Sequence, residues 1–280
     1  MNKIAIIFDF DDTLAPDSTS SFLQSIGVDV HDFWQNKVQL LDDSDWDPIP
    51  AYLYSMIEIS GNKNTPLITK ELFVEFAKEM FFFKGVEKVF KVLEKHIKQI
   101  NKNIDLEYYL ISSGIGDIIR NTSIAHNFTE IWASEFHYDE SGGIAFPKKI
   151  VSFTDKTRYI FQINKGIIGD RFRGKPFEVN KKVNKENLRI QPENMIIVGD
   201  GYTDIPCFSL VRSYGGIAIG VYDKKNRKKW GKAWGFIEDG RVSNLVSANY
   251  SANSDLMNTL IMAVDSIARK ISMSANIYQG

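Results

Sequence analysis

The chain has 280 residues, enough for one large domain or two modest ones. Hydrophobic residues make up 44% and charged residues 25%, which excludes wholesale disorder; 34 basic against 35 acidic side chains leave a net charge of −1, which excludes nucleic-acid binding driven by bulk charge but not a local basic patch. The single cysteine, Cys207, excludes an internal disulfide and a Cys-based zinc cluster, and no apolar run approaches the roughly 18 residues of a membrane span.

The first element is the apolar run Ile4 to Phe8. It ends in Asp9 rather than at small residues, unlike a signal peptide, so a soluble, cytoplasmic protein is expected. Further short apolar runs follow at Tyr108 to Ile111, Met195 to Val198 and Ile217 to Val221. Each shows little alternation and stops at polar residues or glycine, as strands buried on both faces of a parallel sheet do. Helical spacing links Leu72, Phe73, Phe76 and Met80, and again Val86, Val89, Phe90, Leu93 and Ile97. The alternation predicts an α/β fold built on a Rossmann-like parallel sheet.

The first crossover is too long. A βαβ unit needs only about 30 residues, so the stretch 15–84 is surplus, and it is expected to form an inserted, mostly helical subdomain. Residues 1–14 and 85–280 then make the α/β core. Trp34, Trp46, Tyr52 and Tyr54 either build the small core of that insertion or line a pocket. Asp42-Asp43-Ser44-Asp45-Trp46-Asp47 reads as a solvated loop, because the EF-hand glycine and terminal glutamate are missing. Ser141-Gly142-Gly143 marks a hairpin within Glu135 to Phe153, and Leu256, Leu260, Ile261, Val264 and Ile267 predict a closing helix.

Chemistry concentrates where strands end. Asp9-Phe10-Asp11-Asp12-Thr13 follows the first strand directly. Carboxylates crowded at a strand's C-terminal end repel one another and lose hydration, which calls for a cation, and such ends are where open α/β sheets bind ligands. Ser112-Ser113-Gly114 follows the second run, and Gly199-Asp200-Gly201-Tyr202-Thr203-Asp204 follows Met195 to Val198. Lys156 opens a helical pattern between them.

In order and spacing this set resembles the haloacid dehalogenase-like hydrolase superfamily. Asp9-Phe10-Asp11-Asp12-Thr13 matches its first motif, Ser112 its second, Lys156 its third and Gly199-Asp200 with Asp204 its fourth. The insertion after the first motif is similar to the family's helical C1 cap. The resemblance implies a Mg²⁺-dependent phosphatase acting on a small phosphorylated metabolite through an aspartyl-phosphate. Asp9 would be the nucleophile and Asp11 the general acid and base. Ser112, Ser113, Gly114 and Lys156 would hold the phosphoryl group. Asp9, Asp200 and the Asp11 carbonyl would hold Mg²⁺. Asp204 would orient Lys156 or reach the metal through water, and Thr13 would brace the loop. Asp11 is the residue that phosphatases and phosphomutases have at that position, so a phosphomutase or phosphotransferase is the alternative within the family. A receiver-like phospho-signalling protein has similar groups, but at about half this length and with its acceptor after a later strand. Neither nucleic acid nor membrane is expected as a partner.

Other features read blandly. Gly169-Asp170-Arg171-Phe172-Arg173-Gly174-Lys175 falls short of a phosphate-binding loop because Pro176 stands where a hydroxyl is needed. The basic stretches 171–189 and 224–229 read as solvated surface. The four histidines share no spacing, and Cys207 reads as a small packed residue.

Overall fold

In the computed structural model, residues 2–62, 64–224 and 240–277 are described. Seven strands are β1 (Lys3–Phe8), β2 (Asp105–Ile115), β3 (Glu130–Tyr138), β4 (Ile144–Lys149), β5 (Met195–Gly199), β6 (Ile217–Tyr222) and β7 (Asn244–Ser247). They form one sheet in the order β4-β3-β2-β1-β5-β6-β7. All neighbours run parallel except β3 and β4, which form the antiparallel hairpin expected around Gly142. The apolar runs locate four of these strands. They miss β3, whose residues mix apolar and charged side chains, and the four-residue edge strand β7.

The sheet is covered on both faces, and alternation along each strand divides the core in two. Ile4, Ile6 and Phe8 of β1 point to one face, together with Tyr108 and Leu110 of β2 and Ile196 and Val198 of β5. Ala5, Ile7, Tyr109, Ile111, Met195 and Ile197 point to the other. The first face is closed by helix Val86–Ile100, through Val86, Val89, Phe90, Leu93 and Ile97, and by the C-terminal helix Asp255–Ile277, through Leu256, Leu260, Val264 and Ile267. The second is closed by helices Phe153–Lys165 and Ile205–Ser213. Spacings of three and four put each apolar stripe on one side of its helix.

The strand order reverses beside β1. The chain steps from β1 to β2 and β3 on one side, then from β5 to β6 and β7 on the other. Such a switch point opens a crevice at the carboxyl ends of the central strands. Phe8 pairs with Leu110 on one side and Val198 on the other, so the residues that follow β1, β2 and β5 emerge side by side.

Between β1 and helix Val86–Ile100 lie helices Ser18–Ser25, Pro48–Ile59 and Lys70–Lys78 and the continuous helical stretch 30–42. Side chains start them: Asp17 accepts from the Ser20 N–H at 3.0 Å and Asp29 from the Asp32 N–H at 3.0 Å. Proline occupies the first position of helix Pro48–Ile59, where its missing N–H is no loss. Phe22, Phe33, Leu53, Met56 and Phe73 pack into a third cluster that also takes in Ile115, Ile118, Phe136 and Ile144. Within 30–42, Trp34–Val38 widens into a π turn in which the Gln39 N–H reaches back to the Trp34 carbonyl. No described helix is long and apolar enough to cross a membrane.

Candidate active site

The loop after β1 is set by backbone bonds. The Asp9 N–H donates to the Val198 carbonyl at 2.9 Å, continuing the β1–β5 pairing one residue beyond the strand. The Phe10 carbonyl then accepts from the N–H groups of Thr13, Leu14 and Ala15 at 3.3, 2.8 and 3.3 Å. The turn places Asp12 in the left-handed region, at φ 55°, which aspartate tolerates better than most residues. Phe10 goes into the core, while Asp9, Asp11 and Asp12 line a cavity of about 480 Å³ between the strand ends and the inserted helices. The Asp11 carboxylate is aimed by the Ser18 N–H, which donates to Oδ1 at 2.7 Å.

The loop after β2 meets the first one directly. The Gly114 N–H donates to the buried Ser112 Oγ at 2.9 Å. A Cβ on residue 114 would stand 2.5 Å from Asp11 Oδ2 and 3.1 Å from Ser112 Oγ, so only glycine leaves room for the Asp11 carboxylate. Two hydroxyls, Tyr52 at 2.6 Å and Ser134 at 3.0 Å, donate to the Ser113 carbonyl and hold this turn in place.

Lys156 rises from helix Phe153–Lys165 beneath the cavity, with 1% of its surface exposed. Its Nζ lies 3.1 Å from Asp9 Oδ1, donates to Asp204 Oδ1 at 2.7 Å and reaches Thr203 Oγ1 at 3.2 Å. Asp204 also accepts from the Gly201 N–H at 3.2 Å, and a Cβ on Gly199 would overlap its carboxylate. Thus Lys156 bridges the loop after β1 to the loop after β5.

Burial dominates the electrostatics. It pushes the Asp9 carboxyl up to about 7, with Asp204 adding to the rise and Lys156 opposing it. Burial and then Asp17 push Asp11 up to about 8, against the Ser18 bonds. Burial alone would discharge Lys156, but Asp204 and Asp9 outweigh it and hold the ammonium above its ordinary value. Carboxylate oxygens of Asp9, Asp200 and Asp204 lie within 4.8 Å of one another. The donors are all oxygen, and crowded carboxylates that burial penalises are what a hard divalent cation relieves. The set therefore fits Mg²⁺, with Asp204 occupied by Lys156 and Asp9 and Asp200 facing the cavity.

The structure gathers Asp9, Asp11, Ser112, Ser113, Gly114, Lys156, Asp200 and Asp204 at one sheet edge. Thr13 lies beside them but braces the loop through its backbone: its carbonyl accepts from Tyr250 Oη at 2.9 Å, while Oγ1 is buried without a partner. The aromatic residues of the insertion divide. Trp34 and Tyr52 line the cavity, whereas Trp46 and Tyr54 are exposed and lie 5.0 Å apart, ring to ring. Sequence reading missed that Tyr52 holds the Ser113 turn, and also missed the parts played by Asp17, Ser134 and Tyr250. The Tyr52, Ser134 and Tyr250 contacts span 61, 21 and 237 positions, so no local pattern carries them, whereas Asp17 caps its helix through Ser20, three residues on. Gly169 to Lys175 forms a short 3-10 turn with no strand before it. Cys207 is packed inside helix Ile205–Ser213. Of the basic run 224–229, residues 225–229 lie outside the described residues.

No family model matches the chain. It is 27% identical over 292 positions to an uncharacterized protein of Borreliella burgdorferi, covering 93% of this chain and 96% of that one. Among solved structures, a HAD family hydrolase from Salmonella enterica serovar Typhi superposes with a TM-score of 0.57 at 13% identity, covering 88% of this chain and 67% of that one. A phosphoserine phosphatase, solved as an analogue of its phospho-aspartyl intermediate, superposes with a TM-score of 0.55 at 14% identity, over 93% of this chain and 98% of that one. Cytosolic 5'-nucleotidase IIIB bound to cytidine gives a TM-score of 0.53 at 11% identity, over 97% and 88%. The fold is that of the haloacid dehalogenase-like hydrolases: a Rossmann-like, largely parallel α/β sheet.

Proposed function

We propose that the protein is a Mg²⁺-dependent phosphomonoester hydrolase that works through an aspartyl-phosphate on Asp9 and acts on a small phosphorylated metabolite. The observation that carries this reading is the placement of Lys156: its Nζ stands 3.1 Å from Asp9 and 2.7 Å from Asp204 at the mouth of the central strands, in reach of the cavity that Asp11 and Ser112 line.

In the first step a carboxylate oxygen of Asp9 attacks phosphorus and the ester P–O bond breaks. Asp11 gives its proton to the departing alkoxide. In the second step water attacks the same phosphorus, Asp11 takes back a proton, and the Asp9–phosphorus bond breaks to release phosphate. Lys156 and the Ser112 hydroxyl hold the phosphoryl oxygens. Asp9, Asp200 and the Asp11 carbonyl would hold Mg²⁺, which would supply charge neutralisation at the phosphoryl group. Asp204 acts on Lys156, whose head it fixes. Residues 15–84 act as the cap that encloses the organic part of the ester.

The test is phosphate release from a broad panel of phosphomonoesters by the purified chain with Mg²⁺. Hydrolysis is expected, with a loss of at least about a thousandfold in Asp9→Asn. Turnover in isotopic water should place solvent oxygen in the released phosphate, and a mutase or transferase would not put it there. Failure to hydrolyse any ester, with Asp9→Asn indistinguishable from the parent, removes the reading.

A further inference from the structure

The turn that carries Asp11 is braced from the far end of the chain. Asp9 and Asp11 are held differently. The Asp9 N–H is bonded into the sheet at the Val198 carbonyl, 2.9 Å away, whereas Asp11 sits on the turn that the Phe10 carbonyl closes, with the Ser18 N–H donating to its carboxylate. Into that turn Tyr250 Oη donates, to the Thr13 carbonyl at 2.9 Å. Tyr250 is 2% exposed, and its ring lies 6.3 Å from that of Phe8 in β1. Burial pushes its phenol up, with Asp200 and Asp9 adding to the rise, so the hydroxyl keeps the proton it donates.

The same residue meets both ends of the insertion. The chain leaves for the inserted helices through Leu14 and Ala15 and returns to helix Val86–Ile100 through Phe83, Lys84 and Gly85. The Phe83 N–H donates to the Leu14 carbonyl at 2.9 Å, and the Tyr250 N–H donates to the Lys84 carbonyl at 2.7 Å. Gly85 lies at φ 91°, and a Cβ there would stand 2.4 Å from the Tyr250 carbonyl group, so only glycine lets the returning chain come this close. Tyr250 is itself fixed from both sides. The Ala248 N–H donates to the Tyr222 carbonyl of β6 at 2.9 Å, and Asn249 Oδ1 accepts from the Ser251 N–H at 3.1 Å and the Ser251 hydroxyl at 2.6 Å. Packing alone does not ask for this hydroxyl: phenylalanine would fill the same space with no buried polar group to satisfy.

We infer that Tyr250 is a positioning residue: through the Thr13 carbonyl its hydroxyl holds the turn that aims the Asp11 carboxyl at the leaving-group oxygen. Tyr250 touches neither the substrate nor phosphorus. The inference rests on the phosphatase reading, in which Asp11 protonates the departing alkoxide. Because Asp9 is held by the sheet rather than by the turn, loss of the hydroxyl harms proton transfer more than attack. An ester whose leaving group departs without a proton is therefore less affected than one whose leaving group needs it.

The experiment compares Tyr250→Phe with the parent, as full chains with Mg²⁺, on two aromatic esters. The leaving group of para-nitrophenyl phosphate is a weakly basic phenolate, and that of benzyl phosphate is a strongly basic alkoxide. The readout is kcat/KM, which covers the steps through transfer to Asp9. The variant should lose about tenfold or more on benzyl phosphate and about threefold or less on para-nitrophenyl phosphate. An unfolded fraction lowers both alike, so the ratio of the two losses reports on the site whatever the stability of the variant. Equal losses on the two esters, or no loss on either, overturn the inference and leave the phosphatase reading standing. No turnover of either ester by the parent overturns the phosphatase reading and this inference with it.

Discussion

Replacing Lys156 with methionine keeps the buried volume of the side chain and removes its charge, which makes it the sharpest probe of the site. The ammonium stands 3.1 Å from Asp9 and 2.7 Å from Asp204. At an effective dielectric constant near 20, each contact is worth about 5–6 kcal/mol of gross attraction, most of it offset by the desolvation of the charges. Removing one partner strands the others, and buried pairs broken in this way cost about 3–5 kcal/mol. Measured by urea or thermal melting in EDTA at pH 8, the variant should lose that amount, roughly 10 °C in Tm. The pH dependence has a definite sign. Burial and Asp204 already push Asp9 up to about 7, and losing Lys156 pushes it higher. The folded variant then keeps a proton that the unfolded chain, with aspartates near 4, gives up. Its stability continues to fall with rising pH beyond 7, where the parent's Asp9 is half titrated and its loss levels off, so the gap is wider at pH 8.5 than at pH 6. Phosphatase turnover should fall by about a hundredfold or more, as when one donor to a developing oxyanion is removed. A variant that melts within about 1 kcal/mol of the parent at pH 8, or whose deficit shrinks as pH rises, would refute the electrostatic account of the site.

Three further outcomes follow from the geometry. Gly114→Ala places a methyl group 2.5 Å from Asp11 Oδ2, so the carboxylate must move; kcat should drop about a hundredfold with the circular dichroism spectrum unchanged. An active Gly114→Ala would mean that Asp11 needs no fixed position. Tyr52→Phe removes the 2.6 Å bond to the Ser113 carbonyl and leaves the Ser134 bond in place, so stability should fall by about 1 kcal/mol and kcat more than KM. Equal kcat in parent and variant would separate Tyr52 from the phosphoryl-binding turn. Cys207 is fully buried and burial pushes its thiol up, so iodoacetamide should leave it unmodified in the native protein at pH 8 and label it completely in urea, as mass spectrometry would show.

The central strands and the site loops could be read from sequence for one physical reason. A strand buried on both faces must be apolar throughout, and polar residues that end it abruptly must face something other than the core. Ile4 to Phe8 followed by Asp9 satisfies both conditions, and so does Met195 to Val198 followed by Gly199-Asp200. β3 shows in the sequence only as the first arm of the hairpin around Gly142, because Glu135 breaks any apolar run along it. Its Glu135 is paired with Arg120 at 2.8 Å across the fold, and that pairing has no local signature. β7 has only four residues at the sheet edge, too few for a period to emerge. At the site, the sequence carries which polar groups meet at the strand ends but not what holds them. Ser112 and Asp11 belong to recognisable motifs. Gly114 reads as part of the second motif, but no local pattern shows that its lack of a side chain makes room for the Asp11 carboxylate.

The attachment of the inserted helices bears on how a substrate reaches Asp9. The Ile144 N–H donates to the Ile68 carbonyl at 2.9 Å, joining the β3–β4 hairpin to the insertion. Phe73 stacks on Phe136 with ring centroids 6.1 Å apart, and Tyr52 bonds the Ser113 turn from the other end. Ile68, Phe73, Phe136 and Ile144 are all buried in a cluster the insertion shares with the sheet. Swinging the insertion away as one body would expose all four, at about 6–12 kcal/mol for side chains of this size. That is comparable to the whole stability of an ordinary domain. A full swing is thus too costly to accompany each turnover. The stretch 30–42 is different: it is short, and Gln35 and Gln39 at the cavity rim are exposed. It carries Trp34, Val38 and Asp42, so it supplies part of the wall of the cavity. Asp9, Asp11, Ser112 and Lys156 are held at the strand ends by the sheet, whereas the wall opposite them is carried by a short helical stretch anchored through Phe33 and Val38 and exposed at Gln35 and Gln39.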